Sequence, residues 1–406
     1  MNTASSQPSP RRITIVSETF TPEINGVANT LKHLCRGLYA RGHEVQVVRP
    51  AQAGDTGKDD GPSDHGIPLH HDLVRVTGIP LPGYANLQFG LTRRRHLLTL
   101  WQKRRPDLVY VATQGPLGVM AVSAARALGI SVCSGFHTNF HSYSRHYHAG
   151  FLSRLLERYG RWFHNRTALT LVPTRAMATR VQAMGIHPVG LWSRGVDCQL
   201  FAPSKRDPAL RAEWGLQPQD RAILYVGRLA SEKNLQLAVS CFERIRVLHP
   251  KARFILVGDG PQRRRLQEKH PDYLFSGIRE GEDLARHYAS GDLFLFPSKT
   301  DTFGNVVTEA MASGLAVVAF DDAAASEHIR HEENGMVAPL DDDEAFVEHA
   351  LTLAQQNTLL GSIRQQARLD ALDLDWGSQV EQFEQLTLTL NRRDRCHAVT
   401  PGIPIL

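Results

Sequence analysis

The feature that most constrains this chain is an alternation. Short runs of β-branched and other apolar residues are separated by stretches whose apolar residues recur at three- and four-residue spacing. Ile13 to Val16 is one such run and Glu44 to Val48 another. Between them Val27, Leu31, Leu34, Cys35 and Leu38 fall on one face of a helix, and Gly42 suits its C-terminal stop. Strand, helix, strand at this spacing is a βαβ unit, which calls for a parallel sheet covered by helices. Leu108 to Ala112, Ser131 to Ser134 and Thr170 to Pro173 continue the series. A second series follows: Ala222 to Val226, Phe254 to Val257, Tyr273 to Phe275, Leu293 to Phe296 and Ala316 to Phe320. Two parallel-sheet α/β domains fit the 406 residues. The boundary falls between residues 195 and 219, where Pro203, Pro208 and Pro218 cluster. Residues 51–66, rich in Gly, Asp, Pro and Ser, read as a loop. Residues 377–390 read as a last helix, followed by a polar tail.

With 42% hydrophobic and 21% charged residues the chain can bury sizeable cores. It contains no apolar run long enough to span a membrane. Met1 to Pro10 is polar and lacks the apolar core of a secretory signal, so a cytoplasmic protein is expected. A net charge of +5 and a pI near 9.0 suit an anionic substrate or membrane surface but are too weak to imply nucleic acid. The cysteines, at 35, 133, 198, 241 and 396, are scattered and odd in number, which reads as reduced thiols.

Loops that follow the strands of an open parallel sheet line its ligand site, and three of them carry chemistry. Tyr225-Val226-Gly227-Arg228-Leu229-Ala230-Ser231-Glu232-Lys233-Asn234 places a forked cation and a compact one five residues apart before a helix. Such a pair suits a diphosphate, although a solvated surface pair has the same spelling. Phe296 to Gly314 carries Asp301 and Glu309, eight apart, with Gly304 between them. If Val306 opens a helix, Glu309 lies in its first turn and Asp301 in the loop before it. Both acids can then face one ligand, or be a loop acid and a helix-dipole acid. Glu23-Ile24-Asn25-Gly26-Val27 follows the first strand, and the Gly26 N–H could meet a phosphate. It lacks the further glycines of a dinucleotide fingerprint.

Together with Val257-Gly258-Asp259-Gly260-Pro261 and Glu309-Ala310-Met311-Ala312-Ser313-Gly314, these segments resemble the retaining nucleotide-sugar glycosyltransferases of the GT-B fold. The resemblance is to the glycosyltransferase family 4-like group that includes bacterial phosphatidylinositol and glycolipid mannosyltransferases. It spans residues 12–386. It implies two Rossmann-like domains facing a central crevice: an acceptor-side domain over 12–195, a nucleotide-sugar-binding domain over 196–375, and a helix over 376–390 crossing back to the first. It implies that Arg228 and Lys233 bind the donor diphosphate and that Glu309 holds the ribose. Asp301 would bind sugar hydroxyls, helped by the N–H groups of Phe303, Gly304 and Asn305. Ile278 and Arg279 lie where such enzymes meet the base. His137 resembles the histidine beside the donor sugar, and could equally be a structural histidine after a strand. The family's first acid is usually Glu, whereas Asp301 is one methylene shorter.

Four histidines fall in the twelve residues from His137 to His148, but no carboxylate or thiolate accompanies them, so no metal is expected. Asp341-Asp342-Asp343 reads as a helix N-cap and first turn. Phe151, Leu155, Leu156, Tyr159, Trp162 and Phe163 recur at helical spacing among Arg154, Arg158, Arg161 and Arg166. Arg93 to Arg95 and Lys103 to Arg105 flank a second such stretch. Basic amphipathic segments suit the interface of an anionic membrane, or an ordinary helix with its stripe in the core. The expectation is a metal-independent retaining hexosyltransferase without a cofactor. Its co-substrate would be a GDP- or UDP-linked sugar, GDP-mannose first. The acceptor would be a lipid or glycan hydroxyl, with peripheral contact to the inner face of the cell membrane. A nucleotide-sugar epimerase or hydrolase and a non-catalytic nucleotide-sugar-binding protein are the competing classes.

Overall fold

The computed structural model describes residues 9–21, 23, 25–52, 55, 72–80, 88–137, 150–301, 303–388 and 390, without the side chains of 150–153. The histidine-rich stretch beyond His137, Cys396 and the tail lie outside the described residues. The chain divides into two compact units. One is continuous, Arg194–Asp375; the other joins Met1–Ser193 to Trp376–Leu406.

The first unit contains β1 (Arg12–Val16), α1 (Gly26–Ala40), β2 (Glu44–Pro50), β3 (Leu73–Pro80), β4 (Gln88–Leu91), α2 (Arg94–Lys103) and β5 (Leu108–Val111). It continues with α3 (Pro116–Ala127), β6 (Ser131–Gly135), α4 (Gly150–His164), β7 (Leu169–Val172), α5 (Arg175–Ala183) and β8 (Val189–Leu191). Its sheet runs β4-β3-β2-β1-β5-β6-β7-β8, parallel except for the β3–β4 pair. All five residues of β1 are buried, because helices cover both faces of a parallel sheet. The strands β3, β4 and β8 are additions to the sequence reading, and β4 and β8 are the edges of the sheet. β3 exposes Arg75, Thr77, Ile79 and Pro80, and β4 and β8 are only four and three residues long, so none shows a continuous apolar run.

The second unit contains β9 (Ala222–Val226), which follows the short helix α6 (Pro208–Glu213), then α7 (Leu235–Leu248), β10 (Arg253–Val257), α8 (Arg263–Lys269), β11 (Leu274–Gly277) and α9 (Gly281–Ser290). It closes with β12 (Leu293–Phe296), α10 (Asn305–Ala312), β13 (Ala316–Phe320), α11 (Ala323–His328), β14 (Met336–Ala338), α12 (Asp343–Gln355) and α13 (Asn357–Leu372). The sheet order is β11-β10-β9-β12-β13-β14, with every paired strand parallel. The strand order therefore reverses between β9 and β12. Asp342 caps α12 by accepting from the Ala345 N–H at 3.0 Å, the role read from the acidic triplet. At the amino end of β12, burial pushes the Asp292 carboxyl up, but Arg206, Arg211 and Arg364 outweigh it and hold the group below its usual range.

The final helix, α14 (Trp376–Leu388), packs in the first unit. Trp376 stacks on His33 of α1 with ring centres 4.8 Å apart. Phe383 is fully buried, 5.2 Å from the rings of both Tyr110 and Trp192. The Trp192 indole N–H donates to the Gln379 carbonyl at 2.9 Å. Gly37 on α1 has to be small, since a Cβ there would run into Val380. The backbone N–H of Arg11 donates to His43 Nδ1 at 3.1 Å. The imidazole proton is then on Nε2, from which it donates to Glu384 Oε1 at 2.8 Å. Arg41 Nε donates to the same oxygen at 2.8 Å, so a buried carboxylate joins the start of the chain to its last helix.

Candidate active site

In an open parallel sheet the strand order reverses at a point where neighbouring loops diverge, and ligands bind outside the carboxyl ends of the strands there. In the second unit that point lies between β9 and β12. Their following loops are the two that hold Arg228, Lys233 and Asp301. Backbone bonds tie the β9 loop to its neighbour: Gly227 N–H donates to Val257 O at 3.0 Å and Leu229 N–H to Asp259 O at 2.9 Å. Gly258, at φ 130°, has no room for a Cβ against the Gly227 carbonyl, which explains the glycine in the Val257-Gly258-Asp259-Gly260 run.

Lys233 closes a short 3₁₀ turn, Ser231–Lys233, and Asn234 then takes a left-handed φ of 52° before α7 begins. Its Nζ lies 2.8 Å from each carboxylate oxygen of Asp301. Both side chains are mostly buried, at 18% and 23% exposure. Beneath them Tyr225 donates to the Arg228 carbonyl at 3.1 Å. Burial, with the charges of Asp301 and Glu232, pushes its phenol up. Arg228 is different. It is 67% exposed, tied only at 3.5 Å to Glu232, and its fork is open to a ligand. The two cations expected to act together thus start from different states: Lys233 is paired and Arg228 is available.

α10 starts at Asn305, one residue before the sequence reading placed it, so Glu309 falls in its second turn and not its first. Gly304 caps the helix at φ 84°, a left-handed conformation that glycine adopts without cost. No described group accepts from the N–H groups of Phe303, Gly304 or Asn305, so all three are available to an anion or hydroxyl. Phe303 is buried under the loop, with the Arg194 guanidinium 5.4 Å from its ring centre. Glu309 accepts from the Tyr288 hydroxyl at 3.0 Å. Burial lifts its carboxyl from the ordinary 4.5 to about 7, against the smaller downward pull of that hydroxyl. Ile278, just beyond β11, is 69% exposed and offers a flat apolar contact. Arg279 is held by the Ser276 carbonyl and by Asp283, both at 2.9 Å.

In the first unit the equivalent reversal lies between β1 and β5. Asn25 caps α1, its Oδ1 accepting from the N–H groups of Val27 at 3.1 Å and Ala28 at 2.9 Å. The Gly26 N–H has no described acceptor and is the first-turn donor left for a ligand. Asn25 is itself held by Thr19 at 2.6 Å, and Thr19 donates to Glu23. His137 follows β6, and its Nε2 lies 2.8 Å from the Tyr110 hydroxyl. This unit also holds a group the sequence did not flag. Glu18 accepts from the Leu117 N–H at 3.0 Å at the start of α3, and from the Gly90 N–H. Burial lifts its carboxyl to about 7. Gly115 is glycine because the Glu18 carboxylate fills the place of its Cβ. An internal carboxylate therefore occupies the anion-favouring end of α3. In Ser17-Glu18-Thr19 nothing but tertiary burial marks it, whereas Tyr288 could have been suspected as an aromatic with a hydroxyl on the helix before β12.

On α4, Phe163 and His164 are buried, while Leu155 and Trp162 are exposed, at 53% and 44%, beside exposed Arg154, Arg158 and Arg161. Arg166 lies over the Trp162 ring at 4.5 Å. The apolar stripe is thus divided between core and surface. Among the described residues no helix is long and apolar enough to cross a membrane, and no His, Cys, Asp and Glu side chains gather as a metal site.

Two parallel-sheet units, with cations and acids on the loops where strand order reverses, define a glycosyltransferase of the GT-B class. The model of Glycosyltransferase Family 4 matches residues 24–200, and that of Glycosyl transferases group 1 matches residues 220–356. The chain belongs to this glycosyltransferase family. It is 35% identical over 347 residues to the GDP-mannose-dependent alpha-mannosyltransferase of Mycolicibacterium smegmatis, covering 84% of this chain and 88% of the relative. It is 25% identical over 379 residues to the alpha-monoglucosyldiacylglycerol synthase of Acholeplasma laidlawii, covering 88% and 92%. Anabaena HepE, solved in complex with UDP, shares the fold with a TM-score of 0.72 at 19% identity, over 93% of this chain and 100% of that one.

Proposed function

We propose that the chain is a retaining, metal-independent mannosyltransferase that takes mannose from GDP-mannose to a hydroxyl of a lipid or glycan. A UDP-sugar is the next donor in order. The observation that carries this reading is the cluster of Arg228, Lys233, Asp301 and Glu309 around the β9–β12 reversal, in a chain 35% identical to a mannosyltransferase of that donor.

The roles follow from the chemistry of each group. Arg228 and Lys233 hold the donor diphosphate and stabilise the negative charge that grows on it as the glycosidic bond breaks. The transition state resembles an oxocarbenium ion, and no cation besides these is assigned to the leaving group. Glu309 accepts from the ribose hydroxyls, and Ile278 and Arg279 lie at the base. Asp301 and the N–H groups of Phe303, Gly304 and Asn305 serve the hydroxyls of the transferred sugar. The acceptor attacks from the face the diphosphate leaves, and a diphosphate oxygen takes its proton, so no side chain is assigned as general base.

The exposed Leu155 and Trp162 among arginines support a peripheral contact with an anionic membrane on the cytoplasmic side. A relative named for diacylglycerol supports a lipid acceptor. A thermal-shift panel of nucleotide sugars is expected to give its largest stabilisation with GDP-mannose, and transfer to lipid acceptors is expected to yield the α-anomer by NMR. Binding of UDP-glucose alone would reverse the donor order. Release of free mannose without need of an acceptor would replace transfer with hydrolysis.

The Glu309 carboxyl gives this reading a pH signature. A diol is best held by the ionised carboxylate, so affinity for GDP is expected to fall as pH drops below about 7. Tyr288→Phe removes the hydroxyl that lowers this value, so the midpoint should move to higher pH; calorimetric titration of GDP across the range measures both. Stability runs the other way. The folded value lies above the ordinary 4.5, so this group's contribution to stability is fully present below 4.5 and is lost as pH rises through about 7.

A further inference from the structure

Among the described residues of the donor loops, Lys233 and Asp301 are two groups with separate tasks in the proposed function that hold each other. The ammonium is bidentate on the carboxylate at 2.8 Å and 2.8 Å, and both side chains are more than three-quarters buried. The contact joins two loops, and a second bond holds them together, from Thr300 Oγ1 to the Glu232 carbonyl at 3.3 Å. Asp301 is the short acid at its position, and its two oxygens are spent symmetrically on Lys233. A diphosphate offers the ammonium the same kind of anionic, bidentate surface as a carboxylate does.

We propose that Asp301 stands in for the donor diphosphate on Lys233 when no donor is bound, so that donor binding is an exchange of counter-ions. The diphosphate takes the ammonium, and the released carboxylate turns to the hydroxyls of the transferred sugar. This rests on the donor reading above and adds a discrimination to it. An intact nucleotide sugar supplies both halves of the exchange. The nucleoside diphosphate left after transfer supplies only the first, and strands a mostly buried carboxylate beside its own negative charge. The pair therefore weakens the hold on the spent product relative to the donor. Arg228, the other cation of the loop, is exposed and its nearest partner is Glu232 at 3.5 Å, so it does not replace the lost partner of Asp301.

The test is the affinity of GDP and of GDP-mannose for the full chain and for Asp301→Asn, by calorimetry, with melting temperature as the check of folding. UDP and UDP-glucose serve in their place if they are the preferred ligands. Asp301→Asn is expected to bind GDP about five- to tenfold more tightly and GDP-mannose no more tightly, so that the ratio of the two affinities reverses its bias. Asp301→Ser, which keeps a hydroxyl but no charge, should do the same and serves if the amide variant fails to fold. Unchanged GDP affinity in a folded variant would make Asp301 a sugar ligand only and overturn the exchange. Equal weakening of both ligands would make the pair a structural brace and overturn it as well. A wild-type chain that binds no nucleotide at all would remove the donor reading itself, and the exchange with it.

Discussion

Lys233→Ala is expected to lower transfer about a thousandfold with GDP-mannose, read as kcat/KM, while the variant keeps its fold. Two effects add. The compact cation that meets the departing diphosphate is gone, and electrostatic help of that kind is often the largest share of catalysis. In addition, Asp301 loses the ammonium that held both its oxygens, and an uncompensated carboxylate is left where the diphosphate must enter. The second effect is separable. In Lys233→Ala/Asp301→Asn the repulsion is removed but the cation is not restored. Part of the loss should return, about tenfold, a coupling of ~1.4 kcal/mol between neighbouring sites. Lys233→Arg is not a conservative substitute, because a larger planar fork that pairs side-on with a carboxylate does not take the place of a compact ammonium. Turnover within a few-fold of wild type in Lys233→Ala would remove the cation from its assigned role.

Phe383→Ala is expected to cost about 3–5 kcal/mol, the range for deleting a fully buried phenyl ring. The loss should fall on one unit. Phe383 is flanked by Tyr110 and Trp192 in the first unit, and the core cluster it belongs to is built from residues of that unit. Urea denaturation followed by tryptophan fluorescence should show the transition that reports Trp192 moving to lower denaturant, while the transition of the second unit stays. There is a chemical consequence too. Tyr110 is hydrogen-bonded to His137 at 2.8 Å, so a Tyr110 ring that settles into the cavity takes the imidazole with it. A single unshifted transition would show that α14 does not carry the first unit's core.

Much of this was legible without coordinates. The loops at Arg228, Lys233, Asp301 and Glu309 were visible because a parallel α/β sheet puts its ligand groups in one place along each repeat, directly after an apolar run. The order of those runs then positions the chemistry. Three things were hidden for physical reasons. β4 is an edge strand and β3 beside it has four exposed residues, and a half-buried strand has little apolar run to show. Glu18 is written as one polar residue among Ser17, Thr19 and Thr21; its meaning comes from Gly90, Gly115 and Leu117, far away in sequence. The start of α10 was one residue off because a left-handed Gly304, and not a polar side chain, makes the cap. The pairing of Lys233 with Asp301, 68 residues apart, is likewise a fact of sheet order that spacing alone does not convey.

The first unit is stitched from both ends of the chain, and this sets an order of events during synthesis. Residues 194–375 leave the ribosome as one uninterrupted unit and can fold as they emerge. The earlier residues cannot finish. Until α14 is made, the groove of Leu31, Leu34, Leu38, Tyr110 and Trp192 that receives Val380 and Phe383 faces water. The part of the enzyme translated first is thus completed last, and for that interval it carries an open apolar seam. A chain that stops short of Trp376 would hold that seam open permanently, and precipitation of such a fragment is the fate its composition predicts.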